Sequence, residues 1–121
     1  MSISFFGPVI ASALALTSPA HPAGATLSLA LHNSSGAVST VTLECEPPGG
    51  THPKPVHACR ALGIADGDFD SLPHEGAMCP WIWSPVTATA TGSWRGSPVL
   101  FGHTYPNWCV AAAESGGVFA F

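Results

Sequence analysis

Charge is scarce in this chain. Of 121 residues, three are Lys or Arg (Lys54, Arg60 and Arg95) and seven are Asp or Glu, for a net charge of −4 at pH 7. A nucleic-acid partner is excluded, because it requires a clustered basic footprint against the phosphates. Disorder is excluded too: disordered segments are poor in apolar residues, whereas this chain is 46% hydrophobic. A stable transmembrane helix is missing. The apolar run Ile3–Leu16 is shorter than the roughly 20 residues that span a bilayer, and it contains Pro8. Catalytic signatures are absent as well. There is no G-x-S-x-G, no H-E-x-x-H and no phosphate-binding glycine loop. None of the six histidines has a sequence neighbour that would orient it as a base, so all six are expected to be surface or hydrogen-bonding residues. Nothing specifies an enzyme, and no cofactor is implied.

What is present points outside the cell. Ile3–Leu16 is uncharged and is followed by small residues, with two cleavage patterns, Ser18-Pro19-Ala20 and Ala23-Gly24-Ala25. Residues 1–25 therefore read as a signal peptide and 26–121 as a single secreted domain with no membrane segment in its mature form. The run lacks the basic residue that normally precedes it, and its rival reading is a buried strand or helix of the domain. The four cysteines, Cys45, Cys59, Cys79 and Cys109, form an even set behind a leader and read as two disulfides with three possible connectivities. No two of them lie at zinc-knuckle spacing, so no metal is expected.

Twelve prolines and thirteen glycines imply many turns and few long helices. Alternation predicts strands at Leu27–Leu31 and Val38–Cys45 around an Asn33–Gly36 turn. A proline- and glycine-rich loop follows at Pro47–Pro55, then a short helix at Val56–Leu62 ended by Gly63. The acids at 66, 68 and 70 resemble the start of a calcium loop, but the later glycine and the acid at the twelfth position are missing, so Asp66–Leu72 reads as a solvated turn. Strands are expected at Pro85–Thr91 and Trp94–His103 about a Gly92-Ser93 turn, with Pro98 marking an edge or a bulge. Asn107–Glu114 reads as a helix capped by Asn107 and ended by Gly116-Gly117, and Val118–Phe121 as a terminal strand. The sum is an α+β domain with an antiparallel sheet and two short helices.

One stretch resists a simple assignment. Met78-Cys79-Pro80-Trp81-Ile82-Trp83 holds two of the four tryptophans. As a core strand it would place Trp81 and Trp83 on one face. Pro80 and Pro85 each remove a hydrogen-bond donor, however, which favours a stiff extended loop anchored at Cys79.

At this point the chain resembles the Streptomyces subtilisin inhibitor family of secreted serine protease inhibitors. The resemblance runs through Val41-Thr42-Leu43-Glu44-Cys45-Glu46-Pro47, Gly50-Thr51-His52-Pro53-Lys54-Pro55 and Ala58-Cys59. It continues in Gly67-Asp68-Phe69-Asp70-Ser71-Leu72, Met78-Cys79-Pro80, Ser84-Pro85-Val86 and Gly92-Ser93-Trp94-Arg95-Gly96, and ends in Asn107-Trp108-Cys109 and Val118-Phe119-Ala120-Phe121. The resemblance implies bridges Cys45–Cys59 and Cys79–Cys109, a five-stranded antiparallel sheet with two helices, an exposed reactive loop and a homodimer. It makes Trp81 the primary specificity residue (P1) and Trp81–Ile82 the reactive bond. Met78, Cys79 and Pro80 precede it in the protease-binding loop, Trp83 follows, and Asn107 braces the loop from behind. It implies subtilisin-like or chymotrypsin-like serine proteases as partners. Three places depart from the family pattern: Ser84 stands for an acid, Thr91 for a frequent Asp and Ser97-Pro98 for a basic pair. The rival function is a secreted binding module without inhibitory activity, presenting Trp81 and Trp83 to a sugar or a protein.

Overall fold

A computed structural model describes residues 24–121. The run Ile3–Leu16 and all of the expected leader except Gly24 and Ala25 lie outside the described residues. The strands are β1 (Ala25–Asn33), β2 (Val38–Cys45), β3 (Gly49–Gly50), β4 (Val86–Trp94) and β5 (Ser97–Tyr105), and the helices are α1 (Pro55–Ile64) and α2 (Trp108–Glu114). The strands form one antiparallel sheet in the order β3-β2-β1-β4-β5.

Period-2 alternation divides the two faces. Ala25, Leu27, Leu29 and Leu31 of β1 are buried, as are Leu43 and Cys45 of β2 and Val86, Ala88, Ala90 and Trp94 of β4. The two helices and the C-terminal segment cover this face, contributing Ala58, Leu62, Ala111, Val118 and Phe119. Phe69, Phe101 and Phe119 cluster there with ring centroids 5.3–6.0 Å apart. The opposite face is polar and open: Ser28 lies between Thr42 and Thr91, which in turn faces the exposed Leu100. A sheet with one packed and one open face is the usual antiparallel arrangement. The bridges are Cys45–Cys59, tying β2 to α1, and Cys79–Cys109, tying the long 72–85 connection to α2. Both pair as the family resemblance implies.

Several sequence expectations need correction. The β4–β5 turn lies at Arg95-Gly96 rather than at Gly92-Ser93, since Trp94 pairs with Ser97. Both turn residues have positive φ (45° and 85°), the two-residue geometry that follows the natural strand twist. Arg95 is held there by Glu46, with Nε donating to Oε1 at 2.9 Å and a second guanidinium bond to Oε2. The guanidinium keeps the Glu46 carboxyl below its usual range. Gly92 stays inside β4, where a side chain would collide with the Thr26 carbonyl of β1. Gly63 does not end α1. The helix runs on to Ile64, and the chain turns at Asp66 (φ 53°) and Gly67 (φ 79°), where the Gly67 amide donates to the Leu62 carbonyl at 2.9 Å. Val118–Phe121 is not a strand. Gly116 and Gly117, both at positive φ, fold it back so that Val118 donates to Ser115 and Ala120 to Gly117. The fifth strand is Gly49–Gly50, inside the expected loop.

Candidate functional site

The connection that leads into β4 begins at the buried Leu72, just beyond a 3-10 turn (Phe69–Ser71) capped by Asp68, whose Oδ1 accepts from the Asp70 amide. It re-enters the sheet at Val86 and makes no ladder in between. Met78 and Trp81 are fully exposed, Trp83 is 75% exposed and Ile82 54%. Proline explains the missing ladder: neither Pro80 nor Pro85 can donate, and the residues before them are pushed to extended backbone. The core-strand reading of Trp81–Trp83 is therefore set aside.

The tip is tighter than a plain extended segment. The Ile82 amide donates to the Pro80 carbonyl at 2.9 Å, a three-residue turn with Trp81 at its apex. Asn107 holds this turn from behind. Its Nδ2 donates to the Pro80 carbonyl at 3.2 Å and to the Ile82 carbonyl at 2.8 Å, one on each side of the Trp81 apex. Its Oδ1 accepts from the Val110 amide at 3.0 Å as the N-cap of α2. One buried side chain thus starts a helix with its acceptor and holds a loop with its donors. Asn is suited to both tasks because its amide carries both functions. Cys79, within the same segment, is bridged to Cys109 in the first turn of α2, so bridge and brace share one helix.

Of the residues the sequence singled out, Met78, Cys79, Pro80, Trp81, Ile82 and Trp83 form the exposed segment, and Asn107 and Cys109 at the start of α2 hold it through Pro80, Ile82 and Cys79. Sequence reasoning missed the backbone anchors. Ser84 donates its amide to the Pro106 carbonyl at 2.8 Å, and Glu75 donates its amide to the Ala113 carbonyl at 2.8 Å. Main-chain groups leave no trace in residue identity, so no pattern could have shown them. Behind the loop lies a hollow of about 640 Å³, largely apolar, bounded by Trp81, Trp83, Asn107, Val110 and Ala113. Among the described residues, no three His, Cys, Asp or Glu side chains converge as a metal site.

A small disulfide-bridged sheet carrying one braced, solvent-exposed loop defines the structural class. Comparison with known proteins identifies the class. The subtilisin inhibitor-like family model matches residues 11–107. Protease inhibitor SIL-V2 of Streptomyces orinoci is 47% identical over 91 residues, covering 73% of this chain and 84% of that protein. Protease inhibitor SIL-V5 of Streptomyces luteoverticillatus is 44% identical over 89 residues, covering 71% and 82%. Sermetstatin of Streptomyces caespitosus, solved in complex with Bacillus licheniformis subtilisin, superposes with a TM-score of 0.62 at 35% identity, covering 80% of this chain and 98% of that one. The chain belongs to the subtilisin inhibitor-like family, whose members are protease inhibitors and not enzymes.

Proposed function

We propose that the protein inhibits serine endopeptidases as a substrate that is held rather than released, with Trp81–Ile82 as the reactive bond. The observation that carries this reading is the Asn107 side chain, which bonds the carbonyls on both sides of the Trp81 apex while Trp81 itself is fully exposed. A serine protease takes its substrate as an extended strand by backbone pairing, with one side chain in its primary pocket. A free peptide pays about 1–2 kcal/mol of conformational entropy per residue to adopt that shape. A loop fixed in advance avoids much of that loss. Pro80 fixes φ next to Trp81, and Cys79–Cys109, which closes a span of 30 residues, contributes roughly 3–4 kcal/mol in the chain-entropy account.

The same anchors oppose hydrolysis. When the bond is attacked, the new amine of Ile82 stays beside the acyl carbon, because Asn107 and the Ser84–Pro106 bond hold one flank and the bridge holds the other. High effective concentration then favours religation over release. A Trp side chain fits a large apolar pocket, as in subtilisin-like or chymotrypsin-like enzymes. A trypsin pocket would keep its buried carboxylate unpaired. Mass spectrometry after brief exposure to subtilisin tests the assignment. Cleavage at Trp81–Ile82 alone, in fragments still joined by Cys79–Cys109, is expected together with a stoichiometric complex. Free degradation, or no interaction, would instead favour a plain binding module.

Secretion and dimerisation belong to the same proposal. Ala25 is fully buried in β1 opposite Cys45 and Trp94, and Gly24 bonds to both Glu46 and Arg95. Leader removal after Ala20 keeps these contacts, whereas removal after Ala25 deletes them. N-terminal sequencing of the secreted protein is expected to read His21 first. The open face around Thr42, Ser28, Thr91 and Leu100 is the surface for a homodimer, and sedimentation equilibrium measures its presence.

A further inference from the structure

The loop is braced at its tip by Asn107 and at its exit by the Ser84–Pro106 bond. Its entry is a different matter. Between the buried Leu72 and the bridged Cys79 lie six residues, Pro73 to Met78, and this stem meets the rest of the molecule at a second built contact. Glu75 donates its amide to the Ala113 carbonyl at the end of α2, and its carboxylate Oε1 pairs with His57 Nε2 on α1. The floor under the contact is the double glycine of the C-terminal turn. A methyl group placed on Gly116 would lie 2.8 Å from the Pro73 carbonyl oxygen, and one on Gly117 would lie 2.6 Å from His57 Cδ2. Both separations are shorter than carbon side chains tolerate. Gly116 and Gly117 thus leave room for the stem and the imidazole to lie directly on the backbone.

We propose that His57 and Glu75, seated on Gly117, are positioning residues that hold the entry stem of the inhibitory loop and strengthen inhibition when His57 is protonated. This rests on the inhibitory reading given above. The stem carries Met78, whose fully exposed side chain is three residues before Trp81, so a fixed stem fixes where Met78 meets the protease. Charge supports a switchable pair. An imidazole gains its charge within the physiological range, and a carboxylate partner makes a stronger bond to the charged ring. The neighbouring ionisable groups are His52 and Lys54 just before α1, Arg60 on α1 one turn from His57, His74 on the stem and Glu114 on α2. The turn at 115–120 carries no ionisable side chain. Both partners are about half exposed, so the pair is a modest clamp, not a second bridge.

The test measures dissociation constants for subtilisin with wild type, His57→Ala, Glu75→Gln, the double variant and His57→Lys, at about pH 5.5 and about pH 8.5. Taking each ratio to wild type against the same protease at the same pH cancels the protease's own titration. The expected result at the lower pH is a weakening of about 2–5-fold for either single variant, with no further loss in the double variant. At the higher pH the ratio for His57→Ala shrinks, while His57→Lys binds tightly at both. A purely structural role would give equal ratios at both pH values and no rescue by Lys, and would overturn the proposal. Amide hydrogen exchange at Glu75, whose amide donates to the Ala113 carbonyl, separates the two readings in the free protein. Faster exchange in His57→Ala at the lower pH is expected, and unchanged exchange overturns the brace even where inhibition stands. Faster exchange without a change in affinity overturns its role in inhibition. Failure of the wild type to bind subtilisin overturns the inhibitory reading itself, and with it the positioning role.

Discussion

Leu27, Leu29 and Leu31 in β1 and Met78, Trp81 and Trp83 in the loop are comparably apolar, yet the first three are at most 6% exposed and the last three at least 75%. Hydrophobicity alone does not separate them. The β1 residues belong to a strand that satisfies its amides against β2 and β4, so its side chains can be buried without stranding backbone polar groups. The loop residues flank prolines that cannot donate, and a buried segment of that kind would leave unpaired groups behind. The difference teaches that backbone hydrogen bonding decides which apolar side chains become core. Those it leaves outside are available for a partner.

The sharpest way to probe this contrast is to truncate one side chain from each region. Phe119 is fully buried, and Phe119→Ala is expected to lower global stability by about 3–5 kcal/mol in urea denaturation. Trp81→Ala is expected to leave stability within about 0.5 kcal/mol but to weaken subtilisin binding by about 2 kcal/mol or more, roughly 30-fold or beyond. Trp81→Lys should move preference toward trypsin, and a titration series showing no such shift would remove Trp81 from the specificity position. Comparable losses of stability from Phe119→Ala and Trp81→Ala would break the comparison outright.

Asn107 joins the two regions, and a subtler change separates its tasks. Asn107→Asp keeps the acceptor that caps α2 but loses the donors to Pro80 and Ile82. Expected is a stability loss of about 1–3 kcal/mol, because a carboxylate oxygen then faces the two carbonyls without a proton to share, together with faster cleavage of the loop during prolonged incubation with subtilisin. The smallest effect is reserved for His52. A carbonyl can only accept, so Nε2 donates to Val118 at 2.9 Å, while Nδ1 accepts from the Lys54 amide at 2.9 Å. Burial holds this imidazole below its usual range, and the neutral tautomer already satisfies both bonds. With the folded value depressed, the unfolded chain binds the extra proton first. Stability is therefore complete above the ordinary histidine range near about 6.5 and declines as pH falls below it. Thermal melts of wild type and His52→Asn across that range measure the slope, which should flatten in the variant.

The legible parts of this protein share a physical basis. Alternating apolar residues announced β1 and β2, the position of Asn107 announced a capped helix, and four cysteines announced two bridges, because each of these is a local or compositional property. The errors are equally instructive. Gly92 looked like a turn residue, but its lack of a side chain answers to the backbone of β1, 65 residues earlier in the chain. Gly63 looked like a helix stop, but Asp66 and Gly67 supply the left-handed turn. Val118–Phe121 looked like a strand because it is apolar, but burial of Val118 and Phe119 in a folded-back turn leaves the same apolar signature.

The sequence by itself determined the class of fold, the cysteine framework and, through family resemblance, which stretch to examine as the exposed loop. Propensity, periodicity and ordered motifs are written in adjacent residues. Only the tertiary structure decided how that stretch is held. The bonds from Asn107 to Pro80 and Ile82, from Ser84 to Pro106 and from Glu75 to Ala113 and His57 join residues from 18 to 38 positions apart. Most of their acceptors are main-chain carbonyls, identical in every residue, and it is folding alone that brings them within reach.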